Sequence, residues 1–220
     1  LDIARTNSSS NYAAGAKAFN QAVNYSLLQT QSRVKLPGQE NFYLDGGFGF
    51  VDVNEKDLQN YTTTGRSPSA FQSLFLKAGL GLPLGLTIEA AVSQVISDHH
   101  MNSLSGTLSY QLFDFSTWVY TDFVPSSSIS ATALRTFTGP AEYSLTGQWN
   151  LGAYHRGWRT QFAYALQYSY ALLTATSTAV GKDFIRHGVI SHVPIFSNWF
   201  LRMEVFYPIT SGSIFAGYQF

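Results

Sequence analysis

Apolar residues alternate with small or polar ones from Trp158 to Ala171, with a period of two. One register is Trp158, Thr160, Phe162, Tyr164, Leu166, Tyr168 and Tyr170, and the other is Arg159, Gln161, Ala163, Ala165, Gln167, Ser169 and Ala171. Successive side chains of a strand point to opposite faces, so this pattern predicts a strand with one apolar face and one polar face. The same split recurs at 142–151, at 104–112 and on both sides of the turn at 83–85.

The apolar faces must be shielded from water, and the composition indicates whether protein or lipid shields them. Only 12% of the 220 residues are charged and 15% are aromatic, whereas soluble domains carry roughly 25% charged residues. Mean hydropathy is −0.02, and no stretch approaches the ~20 apolar residues of a membrane-spanning helix. A closed β-barrel is the other structure that satisfies its backbone within a bilayer, and alternation gives it near-neutral hydropathy.

The spacing of these patterns predicts ten strands between about residues 41 and 220. Residues 1–40 are compatible either with a first hairpin or with a helical or lumenal segment. An even strand number then requires twelve strands in the first case and ten in the second. We expect a single domain, 1–220, forming an antiparallel up-and-down transmembrane β-barrel of about twelve strands, with ten as the alternative.

The connections between the predicted strands alternate between short and long. Short ones lie near 82–85, 113–115, 152–157 and 194–198, and longer polar ones lie at 54–69, 124–140 and 174–183. Bacterial barrels show short turns on one rim and longer loops on the other.

The final residues, Ser213-Ile214-Phe215-Ala216-Gly217-Tyr218-Gln219-Phe220, form an alternating strand with a terminal aromatic residue. This segment resembles the C-terminal strand of bacterial outer-membrane barrels, which the barrel-assembly machinery recognises. The resemblance implies an assembly signal at Tyr218 and Phe220 and a location in the outer membrane. Phe215 stands where the common signal has Gly. The resemblance is to the class and names no family.

Charged residues fall on the predicted inner faces of these strands, with both signs represented. They are Asp45, Lys77, Glu89, Glu142, Arg159, Arg202 and Glu204. Charges in a narrow lumen must be paired or hydrated, so they predict either a salt-bridge network that stiffens the barrel or a constriction that selects solutes.

Asp98, His99 and His100 lie between two predicted strands, beside Ser97, on the rim that we assign to the outside. A histidine beside a carboxylate can act as a base, so the segment is a candidate for a rim hydrolase acting on lipid or peptide. Adjacent residues of a strand point to opposite faces, which argues against a carboxylate and a neighbouring histidine acting together. A metal site is not predicted, because a third ligand at suitable spacing is missing.

The segment 184–193 carries polar residues in both registers, so one polar set must face outward. Charge facing the lipid midplane costs ~2–4 kcal/mol. Either Arg186 and His187 lie at headgroup level or a protein partner covers this wall.

These patterns predict a non-enzymatic integral barrel, acting as a narrow channel for small solutes or as a structural anchor for an envelope assembly. The alternatives are the rim hydrolase and a soluble β-barrel binding module. We expect no cofactor and no nucleic acid, since no cluster of Lys and Arg is present. The expected partners are outer-membrane lipid, the assembly machinery, and a protein partner or a second copy of the chain.

Overall fold

The computed structural model describes residues 42–53, 55–59, 69–96, 102–114, 123–136, 142–155, 160–173, 180–208 and 210–220. These residues form ten strands: β1 (Phe42–Asp52), β2 (Ala70–Gly81), β3 (Leu86–Val95), β4 (Asn102–Asp114), β5 (Phe123–Thr136), β6 (Glu142–His155), β7 (Gln161–Leu173), β8 (Val180–Phe196), β9 (Trp199–Tyr207) and β10 (Ser211–Gln219). A short helix, α1 (Glu55–Gln59), follows β1, and a 3-10 turn (Pro83–Gly85) joins β2 to β3.

The strands form one closed antiparallel barrel. Each strand pairs with the strand before and the strand after it, and β1 also pairs with β10 in a register that sets Leu44 opposite Tyr218. The closing seam leaves none of the ten described strands with a free edge. The predicted all-β, antiparallel, up-and-down barrel is therefore confirmed.

The expected number of twelve strands is not confirmed. Among the described residues there are ten, and because β1 and β10 are each paired on both edges, the barrel closes without a further hairpin. Residues 1–40, for which a hairpin or a helical or lumenal segment was expected, lie outside the described residues.

The long connection expected at 124–140 is wrong in most of its length. Residues Phe123–Thr136 form β5, which pairs with β4 on one side and β6 on the other. Its Ser-rich beginning suggested a loop, but every ladder bond made on two edges stabilises the extended backbone whatever the side chains prefer. The turn predicted at 82–85 is present, with Leu84 in the left-handed region at φ 62°.

The alternation seen in the sequence separates the two surfaces of the barrel. Along β2 the outward Leu74 and Leu76 are 52% and 51% exposed, whereas the inward Phe71 and Ser73 are fully buried. The same alternation of exposed and buried residues runs along β1, β3 and β9. No helix in the part of the chain that the structure describes is long and apolar enough to cross a membrane.

Candidate functional site

Closure of the barrel gathers five of the predicted inward charges on one wall of the lumen. Asp45 comes from β1, Lys77 from β2, Glu89 from β3, and Arg202 and Glu204 from β9; none is more than 4% exposed. We call these five residues the lumen cluster. They meet because β10 is the single strand that separates β9 from β1.

Two other residues predicted for the lumen are not placed by the structure. Glu142 begins β6, but its side chain and the whole of Arg159 lie outside what is described.

Arg202 lies at the centre of the lumen cluster. Its Nη1 is 3.3 Å from Asp45 Oδ2, a hydrogen-bonded ion pair across β10. Its Nε is 3.1 Å from Glu204 Oε1, close enough for an ion pair but without hydrogen-bond alignment. The guanidinium carbon lies 3.9 Å from the centre of the Phe215 ring. Arg202 thus contacts β1, β9 and β10 from inside the barrel.

Aromatic rings surround these charges. The Tyr43 hydroxyl donates a hydrogen bond to the Glu89 carboxylate. The Phe75 and Phe215 ring centres are 5.6 Å apart, and Lys77 Nζ is 5.8 Å from the centre of Phe215. The rings exclude water from the charges while offering the cations a favourable electrostatic partner.

Arg186 forms a second buried group on the neighbouring part of the wall. It is 3% exposed, its Nε donates a hydrogen bond to Gln167 Oε1, and its guanidinium lies 4.5 Å from the centre of the Phe206 ring. The hypothesis that Arg186 faces lipid or a partner is therefore wrong. It faces the lumen because its ladder partner on β7 is Gln167, which belongs to the inward register of that strand.

His187 takes the opposite orientation and lies on the exposed outer surface. Its ring centre is 5.9 Å from that of Tyr164 and 5.8 Å from that of Tyr207. Whether a partner covers this side chain stays a prediction. Sequence reasoning did not separate Arg186 from His187 because β8 is polar in both registers; the register of β7, with Gln167 on its polar face, carried the missing signal.

Inner glycines make room for the large rings. A Cβ at Gly79 would lie 2.1 Å from Tyr43 Cζ, and a Cβ at Gly217 would lie 2.2 Å from Phe200 Cζ. Both pairs are direct ladder partners. Each ring therefore occupies the space that a Cβ on the adjacent strand would take, which lets large side chains fill a narrow interior.

The buried charged residues of the described inner wall are equal in number for the two signs. The lumen cluster has three carboxylates and two cations, and Arg186 supplies a third cation. A buried charge is costly unless it is paired, and a filter that selects ions by charge uses a ring of one sign. Opposite signs in contact are typical of a network that holds the wall together.

The rim residues singled out by their chemistry, Asp98, His99 and His100, lie outside the described residues, between β3 and β4. The described ranges contain no group of three or more His, Cys, Asp or Glu side chains that could hold a metal ion.

A closed antiparallel barrel with an exposed apolar outer surface and a charged, hydrogen-bonded interior has the architecture of transmembrane β-barrels. In a soluble barrel the outer face meets water, and contiguous rows of exposed Leu, Ile and Phe would make it aggregate. The class-level resemblance to bacterial outer-membrane barrels is confirmed for the fold.

The similarity of this chain to known proteins is distant. No protein-family model and no curated protein matches the sequence. Among solved structures, the KdgM porin is 14% identical, over 81% of this chain and 99% of its own, with a TM-score of 0.37. Neisserial surface protein A is 11% identical over 81% and 95%, with a TM-score of 0.26. A triple mutant of the Rhodopseudomonas blastica porin is 9% identical over 83% and 99%, with a TM-score of 0.26. Because these scores are low, nothing known of those proteins carries over to this chain.

Proposed function

We propose that this chain is an integral outer-membrane β-barrel that serves as a structural element of the envelope, with a lumen closed by its own side chains. The observation that carries the proposal is the lumen cluster, in which Asp45 and Arg202 are 1% and 0% exposed. The charged groups that line an open aqueous passage are hydrated. Here they contact each other and aromatic rings instead.

Burial extends beyond the charges. Tyr43, Phe71, Phe215 and Gln167 are each at most 1% exposed, and they come from β1, β2, β10 and β7. Barrels of about eight strands are filled by side chains, and wide aqueous channels appear at sixteen or more. Ten described strands with inward Tyr, Phe and Arg side chains are typical of a barrel whose interior is filled by side chains.

A narrow channel for small solutes is the second candidate, and the inner faces of β4 and β7 favour it. Their described inward residues include Ser105, Ser109, Ala163 and Ala165, which are short. A path for small solutes would be easier to open beside these short side chains than along the lumen cluster.

Conductance in planar bilayers separates the two functions. We expect the purified barrel to insert without steady conductance, with folding verified by its heat-modifiable gel mobility and insertion by its flotation with lipid vesicles. A variant that removes the central contacts, Arg202→Ser with Phe215→Ser, serves as the positive control and should conduct. Steady conductance by the unmodified barrel would contradict the closed structural barrel and support the channel.

The proposal includes an outer-membrane location, insertion through the barrel-assembly machinery, and no catalytic role. The apolar outer wall is the reason for proposing the membrane location, and the alternating aromatic strand at 213–220 is the reason for proposing the assembly route. Sucrose-gradient separation of inner and outer membranes tests the location. The rim hydrolase is tested by His99→Ala and His100→Ala: loss of a detected lipase or protease activity in these variants would contradict the non-enzymatic role.

A further inference from the structure

We propose that the outer wall formed by β2, β3 and β4 binds the acyl chain of one membrane lipid, with the polar end of that lipid at Gln94 and Asn102. The inference rests on the proposed membrane location and assigns one particular site on the outer surface.

A cavity of about 610 Å³ is the observation from which the site is built. Outward residues that line it are Leu74, Leu76, Val92, Leu104, Gln94 and Asn102. They form two rows across the three strands, because Leu76 pairs with Val92 and Val92 with Leu104, while Gln94 pairs with both Leu74 and Asn102. The volume lies within the roughly 300–1,000 Å³ of small-molecule sites.

Small residues lie next to the cavity on the side away from the rim. Ala78, Ala90 and Gly106 form the next row, and a Cβ built at Gly106 would meet nothing within 4 Å. The row after it is large again, with Leu80, Ile88 and Leu108 between 45% and 54% exposed. Along this face the polar side chains at one end of the cavity are therefore followed by apolar side chains, then by small residues, then by large apolar residues again.

The chemistry of the lining matches a neutral amphiphile. None of the described outward residues on β2, β3 and β4 is charged, so an apolar chain meets no unpaired charge there. Gln94 lies one residue before the end of β3, and Asn102 begins β4. Both amides therefore lie at the rim, where they can donate hydrogen bonds to ester or phosphate oxygens.

The length of the uncharged outward face along β3, from Gln94 to Ile88, favours a lipid over a protein partner. From Gln94 to Ile88 is six residues, or about 20 Å at ~3.3 Å per residue. Strands of such barrels are tilted by roughly 35–45°, so the depth along the membrane normal is about 15 Å. That is half of the ~30 Å hydrocarbon core, one leaflet. A stable protein interface needs about 800 Å² on each partner and would extend beyond these three strands.

Native mass spectrometry of the detergent-purified barrel, titrated with palmitoyl-oleoyl phosphatidylethanolamine, tests the site. Val92→Trp should fill the cavity, and the matched control Val205→Trp places the same side chain on the outward face of β9, where Val205 is 61% exposed. We expect the abundance of the one-lipid complex to fall about tenfold, equivalent to ~1.4 kcal/mol, in the first variant and to be unchanged in the second.

Removing the polar end provides a milder second variant. Gln94→Leu should lower lipid retention, whereas Gln72→Leu, on the outward face of β2 but outside the cavity lining, should not. Equal retention in all variants would overturn the site. If the wild-type barrel is a dimer and Val92→Trp makes it monomeric, the cavity is instead a contact site for a second copy of the chain. If the folded barrel does not insert into bilayers at all, the membrane location itself fails, and flotation with lipid vesicles distinguishes that outcome.

Discussion

Arg202 joins parts of the chain that are far apart in sequence. It contacts Asp45, 157 residues away, and lies against Phe215 and beside Glu204. A buried ion pair is not by itself stabilising, since desolvation offsets much of the attraction. Removing one partner is a different matter, because the remaining charges stay buried without compensation.

Arg202→Met should therefore lower the free energy of unfolding by about 3–5 kcal/mol. The measurement is urea unfolding of the barrel in lipid vesicles. Adding Asp45→Asn and Glu204→Gln to the same variant should recover part of the loss by neutralising the orphaned carboxylates. Lys56→Met, in the exposed helix α1, is the control. Equal unfolding midpoints for Arg202→Met and Lys56→Met would show that the network is not stabilising.

Gly79 is required by the ring beside it. A methyl group there would overlap Tyr43, whereas a methyl group at Gly106 meets open space. Gly79→Ala should destabilise the barrel by about 1–3 kcal/mol through overpacking, and Gly106→Ala should not, as measured by the same unfolding experiment. A similar loss in both variants would mean that glycine acts through the backbone and not through the ring.

At the scale of the strand, one alternating pattern sets two different environments. β2 sends Leu74, Leu76 and Leu80 outward and Phe71, Ser73 and Lys77 inward. β8 shows that the pattern alone is insufficient when both registers carry polar groups. There the neighbouring strands decide, since Arg186 pairs with Gln167 while His187 pairs with Leu166 and Tyr207.

Two leucines at different heights on the outer face of β2 test the proposed membrane location. Leu76→Lys places a charge near mid-strand and should cost about 2–4 kcal/mol of folding free energy in vesicles. Leu80→Lys, next to the strand end, should cost roughly 0–1 kcal/mol. The two leucines are 51% and 45% exposed, so exposure does not distinguish them. Equal and negligible costs would indicate a surface in water.

At the scale of the whole molecule, the barrel is closed by its two outermost described strands. At this seam the Phe220 backbone N–H donates to the Phe42 carbonyl oxygen over 2.9 Å, and the two ring centres are 5.4 Å apart. Tyr218 packs between Trp199 and Phe220, with ring centres 5.3 and 4.9 Å away. The residues predicted as an assembly signal are therefore also part of the seam.

The predicted assembly signal at Phe220 can be tested separately from its contact at the seam. Phe220→Ala should strongly reduce the amount of heat-modifiable barrel in cell membranes if the assembly machinery reads the terminal ring. Refolding into pure lipid vesicles should lose only about 0.5–1.5 kcal/mol from the aromatic pair. Phe196→Ala, which removes another exposed ring near the same rim, is the control. Equal effects of Phe220→Ala in cells and in vesicles would contradict the assembly signal and leave only the contact at the seam.

The sequence by itself determined the strands that alternate cleanly, the barrel class and the inward side of five charged residues that the structure describes as buried. Asp45, Lys77, Glu89, Arg202 and Glu204 were all found from period-two patterning, because the face of a residue within its own strand is a local property. A loop was wrongly expected over most of β5, because its Ser-rich sequence is a weak signal beside the ladder bonds that hold it.

The tertiary structure alone decided the seam between β1 and β10, the inward orientation of Arg186 and the joining of five charges around Arg202. Each depends on which strands become neighbours when the sheet closes. That choice is set by the total backbone pairing and packing of the barrel, and no local stretch of sequence contains it.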